Sequence, residues 1–273
     1  MFEQNKPRSS FHSAIAILEL VYHSIVRDVR KAHGNAIMSI LLNMLQAAMF
    51  VLAFYVMFSI LGLRRSALRG DFLLYIMSGI FLFMTHTKTL SAVVSSEGPN
   101  SAMMQHAPMN TIVAILSAMF GTLYIQVLSL FAILFIYDVV FTNFEIDQPI
   151  AAFGCLLIAW FTGGAIGLVL LAIKPWFPRF VGIFSTIYQR ANMIASGKMF
   201  VANTLPGYML AMFDWNPLFH AIDQCRGFVF LNYFPHHSSV SYPLYVGIVL
   251  VMIGLMGEFY TRRHASISWG ARR

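Results

Sequence analysis

Apolar residues run along this chain in long blocks separated by short polar stretches. Six blocks hold the roughly 20 apolar residues that a membrane-spanning helix needs. They are Ala36–Leu61, Phe72–Val94, Asn110–Tyr137, Ile150–Ile173, Phe180–Ala202 and Tyr242–Tyr260. Two further stretches have helical rather than continuous hydrophobicity. Over Phe11–Lys31, Ile15, Leu18, Tyr22, Ile25 and Val29 form one stripe, with His23, Arg27 and Arg30 opposite. Such a basic amphipathic helix before a span is expected to lie along lipid headgroups. Over Asp214–Phe234, Asn216 suits a helix N-cap and Pro217 the first helical position. Leu218, Ala221, Ile222, Cys225, Phe228 and Val229 then share one face, with His220, Asp223, Gln224, Arg226 and Gly227 on the other. At roughly 20 Å this helix is too short to cross a bilayer of about 30 Å. It is predicted to lie at the membrane surface or to dip in and return, where it can gate a pathway.

Composition supports lipid as the solvent. Of 273 residues, 58% are hydrophobic and 11% charged, against about 25% charged in a soluble domain. The fold class that follows is all-α and integral to a membrane. The first strongly apolar run begins only after Gly34 and is too long for a signal-peptide core, so no cleavable signal is expected. The net charge of +7 comes from cations flanking the spans and is no nucleic-acid footprint. An even number of spans puts both termini on one side. Lys6, Arg8, Arg27, Arg30, Lys31, Lys174, Arg179, Arg262, Arg263, Arg272 and Arg273 assign that side to the cytoplasm, against Arg64, Arg65, Arg69 and Arg226. Cys155 and Cys225 form no framework and read as buried bystanders.

Polar residues inside the spans are the candidates for chemistry. Arg190 and Lys198 fall in the fifth block, His86 and Lys88 in the second, Asn43 and Gln46 in the first, and Gln126 in the third. A charge at mid-membrane costs at least about 2.5–3.5 kcal/mol, so it faces protein or water. Lys88 and Lys198 read as snorkelling to headgroups, and Arg190 as a lining or packing residue. Asn43, Gln46 and Gln126 read as interhelical hydrogen bonds, and Gly163, Gly164 and Gly167 as a packing face. Catalytic motifs are absent. Ser196-Gly197-Lys198-Met199 lacks the earlier glycine and the Ser or Thr of a phosphate loop. His236-His237 is an adjacent pair unsuited to chelating from a helix, and no nucleophile accompanies His220 and Asp223. No metal site, no resident cofactor and no ATPase site are expected in this chain.

Several stretches carry a resemblance. Trp215-Asn216-Pro217-Leu218-Phe219-His220-Ala221-Ile222-Asp223-Gln224-Cys225-Arg226 resembles the Asn-Pro-Leu-x-His-x-(Ile/Val)-Glu-x-x-Arg signature of ABC-2 type permeases. Phe144-Glu145-Ile146, Pro175-Trp176-Phe177-Pro178, the run Glu97–Asn110 and Arg27–Gly34 are similar in kind and place. The chain is most similar to the inner-membrane permease of capsular polysaccharide export systems. It departs in Asp223 for the usual Glu, in Lys31 with His33 for an Arg-aromatic pair, and in lacking the early Trp and Pro of the first span.

That resemblance implies a fold of six transmembrane helices with an amino-terminal interface helix and re-entrant outer gate helices between the fifth and sixth. Residues 1–34 would be tail and interface helix, 35–262 the transmembrane domain, with a coupling loop at 95–109 and a gate segment at 203–241, and 263–273 a cytoplasmic tail. It implies a homodimer in the inner membrane, driven by a separate nucleotide-binding ATPase subunit that holds ATP and magnesium. Arg27, Arg30, Ser96, Glu97 and His106 would meet the ATPase. Pro206, Trp215, Asn216, Pro217, His220, Asp223 and Arg226 would form the outer gate. Tyr188, Arg190, Lys198, Phe200 and Tyr208 would line the substrate pathway, with Phe213 and Tyr233 as further aromatic surface. The cargo would be a lipid-linked capsular glycan, passed on to periplasmic and outer-membrane export proteins. O-antigen, teichoic acid or a small lipophilic molecule is the alternative cargo, and a membrane enzyme or structural protein a third reading.

Overall fold

The computed structural model describes residues 19–27, 36–60, 62, 71–96, 111–140 and 144–264. Regular structure among them is helical throughout. Residues 19–27 form α1. The long helices are α2 (Ala36–Ile60), α3 (Phe72–Ser95), α4 (Thr111–Val140) and α5 (Pro149–Ile173). Then come α6 (Pro178–Ala195), a single 3-10 turn (Ala202–Thr204), the one-turn α7 (Gly207–Leu210), α8 (Pro217–Val229) and α9 (Ser241–His264). Among the described residues, α2, α3, α4, α5 and α9 are long and apolar enough to cross a membrane. This is the make-up of a multi-pass helical membrane protein.

The core is built on α3 and α5. Every residue of α3 from Leu74 to Thr87 is buried, enclosed by α5, α4, α2 and α8. Close approach of α5 to α3 requires glycine: a Cβ on Gly163 would lie 2.4 Å from the His86 carbonyl oxygen. Gly164 faces Met119 of α4, and Gly167 faces Leu90 and Val93 of α3. The expected packing face is therefore present, and it serves two neighbouring helices. On the far side of α5, Gly254 admits Leu168 and Gly247 admits Phe161, which seats α9. The outward residues of α2, α4 and α9 are large and apolar, including Leu41, Leu52, Phe135, Val139, Met252 and Met256. A lipid surround accepts them at no cost.

Two expectations change here. The fifth block, read as a span over Phe180–Ala202, forms a helix only to Ala195. At about 27 Å and carrying Arg179, Gln189, Arg190 and Asn192, it falls outside the group of long apolar helices. It stops because Gly197 takes a left-handed backbone, φ +76°, which side chains disfavour. The amino-terminal helix also packs differently from its predicted stripe. Val21 and Ser24 are buried, the Val21 carbonyl accepting from Ser117 Oγ at 3.4 Å, while Tyr22 is 63% exposed. Ile25 of that stripe is half-buried, and Ile15, Leu18 and Val29 lie outside the described residues.

Candidate functional site

The site starts with Asn216. Its side-chain oxygen accepts from Leu218 N at 3.1 Å, the N-cap predicted from the sequence, and Pro217 follows. Its amide nitrogen donates to Asn192 Oδ1 at 2.8 Å and to the Ala195 carbonyl at 3.0 Å. One side chain thus starts α8 and ties it to the end of α6. The carbonyl of Ala195 is one of the last in that helix and lacks an intrahelical partner.

The polar face of α8 is not solvated. Leu218, Ala221, Ile222 and Cys225 are buried as the apolar face predicts, but His220, Asp223 and Arg226 are buried too. The amphipathic helix, expected to lie at the membrane surface or to dip in and return, is enclosed on both faces, because folded chain comes back to meet its polar side. Asp223 accepts from Tyr233 Oη on one oxygen and from Ser238 Oγ, at 2.7 Å, on the other. Burial, with the Asp223 carboxylate alongside, holds the Tyr233 hydroxyl well above its usual range, so it stays a donor. Gln224 donates to the Ser238 carbonyl at 2.8 Å. His220 Nδ1 accepts from Ser239 N at 3.1 Å while Nε2 faces the Asp214 carbonyl. A backbone amide can only donate and a carbonyl only accept, so the ring is neutral with its proton on Nε2. These bonds fasten the 233–239 strap over α8.

Arg226 works in the other direction. Nη1 donates to the carbonyls of Gly197 at 2.8 Å and Phe200 at 2.6 Å, and Nη2 to that of Lys198 at 2.7 Å. The guanidinium also stacks 4.2 Å from the Tyr75 ring centroid. Three carbonyls that have left helical register are gathered by one rigid fork. Gly79 of α3 makes room, since a Cβ there would fall 2.8 Å from Lys198 Cβ.

Lys198 is thereby driven into the bundle. Its ammonium sits 3.5 Å from the Phe83 ring centroid, 5.0 Å from Phe54 and 5.7 Å from Phe50, with no hydrogen-bond partner among the described residues. The predicted snorkelling does not occur, because the residue lies in the turn after α6 and points at α2 and α3. It shares no helix face with Arg190, which is exposed on α6. A cation held by ring faces in a dry site gains about 2 kcal/mol or more.

Along α6 a stack of rings, Phe180, Phe184 and Tyr188, leads inward with centroids 5.7 and 6.4 Å apart. Tyr188 Oη meets His86 Nε2 at 3.0 Å, and His86 Nδ1 meets the Ala159 carbonyl at 3.1 Å. The carbonyl must accept, so His86 carries its proton on Nδ1 and accepts from Tyr188. Phe200 packs against Phe213 at 5.2 Å. Pro206, Tyr208 and Trp215 are exposed near α7. Trp215 gives its carbonyl to Tyr242 Oη at 2.8 Å.

The residues predicted to meet a partner ATPase are mostly out of reach. Arg30, Glu97 and His106 lie outside the described residues. Arg27 donates to Ser24 Oγ at 3.2 Å, and Ser96 caps α3 through bonds to the Val93 carbonyl. Lys174 also serves that end of α3, donating to the Val94 carbonyl at 2.7 Å. The interhelical role read for Asn43 and Gln126 is present: Gln126 Nε2 donates to Asn43 Oδ1 at 3.1 Å. Gln46 is exposed. Lys88, which the sequence predicts to snorkel to headgroups, instead donates to Asn43 Oδ1.

Sequence reasoning missed Phe50, Phe54, Phe83, Asn192, Ser238 and Ser239. Phe50 and Phe54 stand one helical turn apart, a visible pair, but nothing local names the cation that fills the space between them. Among the described residues, no group of three or more His, Cys, Asp or Glu is placed to hold a metal. Neither a protein-family model nor a curated protein matches the chain.

Proposed function

We propose that this chain is the membrane permease subunit of an ABC exporter that moves a lipid-linked polysaccharide. The observation that carries the reading is the buried return of the chain through 196–239. A helix stops at Gly197, and Asn216-Pro217 starts a second one that runs back against α3 and α5, locked by Arg226. A bundle with no other duty would have no use for so elaborate a plug at one end. The Asn-Pro-Leu stretch that resembles the ABC-2 signature lies at the start of that returning helix.

On this reading α6 and residues 196–204 complete a sixth crossing, both termini are cytoplasmic, and α7 with α8 forms the outer gate in the inner membrane. Two copies pair across the exposed face of α6, where Phe180, Phe184, Tyr188 and Arg190 offer rings and one positive charge. Rings and weak polar groups suit a polymer that must slide without sticking, and the charge suits an acidic glycan or phosphate-bearing anchor. Lys198 holds the turn in place and adds to that field. This chain catalyses nothing; ATP and magnesium belong to a separate ATPase subunit that meets it near Arg27 and Ser96. Periplasmic and outer-membrane export proteins receive the cargo.

Co-expression with a candidate ATPase subunit is the test. Copurification and ATP turnover that depends on both chains are expected, and a gene deletion should trap long glycan inside the cell. ATP-independent activity of this chain alone would sink the proposal. A trapped small lipid or O-antigen in place of capsule would transfer the cargo assignment to that molecule. Export in Arg190→Gln and Lys198→Gln membranes tests the positive field, which unchanged flux in both would refute.

A further inference from the structure

A second polar cluster lies between α2, α3 and α4, about two turns from the C-terminal end of α3. Lys88, half-buried, donates to Asn43 Oδ1, and so does Gln126 Nε2. An ammonium only donates, which obliges Asn43 to turn its oxygen toward Lys88. Gln126 must then present its NH2 to the same oxygen. The consequence is fixed: Asn43 Nδ2 and Gln126 Oε1 point elsewhere, and both are buried with no partner among the described residues. Ser129 follows Gln126 by three residues, on the same face of α4, and its buried hydroxyl is also without a partner. Asn43 is 4% exposed, Gln126 1% and Ser129 0%.

Buried polar groups in proteins are almost always satisfied. Here two open ones, on Asn43 and Gln126, adjoin a cation that has two N–H donors left, and the third, on Ser129, lies one turn further along α4. The open set is mostly donors: two from Lys88, two from Asn43 Nδ2 and one from the Ser129 hydroxyl, which can also accept, against the Gln126 oxygen. No carboxylate of α2 or of α4's neighbouring turns faces them: neither α2 nor residues 111–137 of α4 contains an Asp or Glu. Such a set matches an anionic oxygen cluster and disfavours a cation.

We infer that Lys88, Asn43, Gln126 and Ser129 form a binding site for an anionic phosphate group within the bundle. Lys88 supplies the charge, Asn43 and Ser129 supply directed donors, and Gln126 accepts from a hydroxyl of the bound molecule. The phosphate belongs either to a lipid headgroup or to a soluble phosphate compound. The site stands whether or not the chain works with an ATPase.

The test is native mass spectrometry of the purified full chain in detergent, offered phosphatidylglycerol or phosphatidylcholine, with and without inorganic phosphate. Preferential retention of phosphatidylglycerol is expected, falling at least about tenfold in Lys88→Met and about threefold in Ser129→Ala. Retention that inorganic phosphate leaves untouched assigns the site to a lipid headgroup. Competition by inorganic phosphate assigns it to a soluble phosphate; both outcomes support the site. Equal retention by the wild type and a folded Lys88→Met, judged by its melting curve, overturns it. Should Lys88→Met not fold, Ser129→Ala decides, and unchanged retention there overturns it equally. No ATPase enters the measurement, so its failure leaves the export reading standing, and failure of that reading leaves this result intact.

Discussion

Around α8, most buried polar groups are closed by other parts of the chain; Arg226 Nε, Lys198 Nζ and Ser196 Oγ are the exceptions among the described residues. Asp223 has a donor on each oxygen, and Arg226 gathers three carbonyls. Between α2, α3 and α4 the polar groups are equally buried, yet Asn43, Gln126 and Ser129 keep open valences. The difference teaches what each region is for. A closed network fixes a shape, here the reversal of chain at 196–239. An open network beside a cation waits for a ligand.

The hardest way to break the contrast is Arg226→Met. It strips the Lys198 and Phe200 carbonyls of the turn of their donor and leaves Gly197 only the one from Phe200 N, and a loss of about 3–5 kcal/mol is expected. Thermal melting in detergent reads it, and Arg226→Lys should recover little, since a single ammonium nitrogen cannot occupy both Nη positions of the planar fork. Next comes Gly163→Leu, which forces α5 off α3 at His86 and should cost at least about 1–3 kcal/mol by the same measurement. Tyr233→Phe removes one donor from Asp223 and should cost about 1–3 kcal/mol, visible also as faster proteolysis of the 233–239 strap. In the open cluster, Ser129→Ala should shift stability by less than about 0.5 kcal/mol, because its hydroxyl has no protein partner to lose. A large destabilisation there would erase the distinction between the two regions. Smallest of all is Arg190→Gln, exposed on α6, whose melting should stay within about 0.5 kcal/mol while export, on the proposed reading, falls.

Much of this architecture was legible along the chain, for reasons that are local. The long apolar helices follow from block length alone, with ends within a few residues of those read. The start of α8 at Asn216-Pro217 follows from capping chemistry, which involves only adjacent residues. The face of Gly163, Gly164 and Gly167 follows from helical spacing. The end of α6 was harder. Its apolar residues continue past Ala195, so periodicity carries the helix on to Ala202. The break depends on Gly197 being held left-handed and on Arg226, 29 residues later, drawing the carbonyls away.

The amino-acid sequence by itself determined that lipid is the solvent, how long the helices are, and where α8 begins, since hydrophobic length and caps act through neighbours. Tertiary structure decided what the charges do. Lys198 reads as a residue reaching for headgroups and is packed among Phe50, Phe54 and Phe83; Lys88 reads the same way and is bound to Asn43. A charge in an apolar segment takes whichever partner the fold brings within a few ångströms. Those partners lie on other helices, far away along the chain.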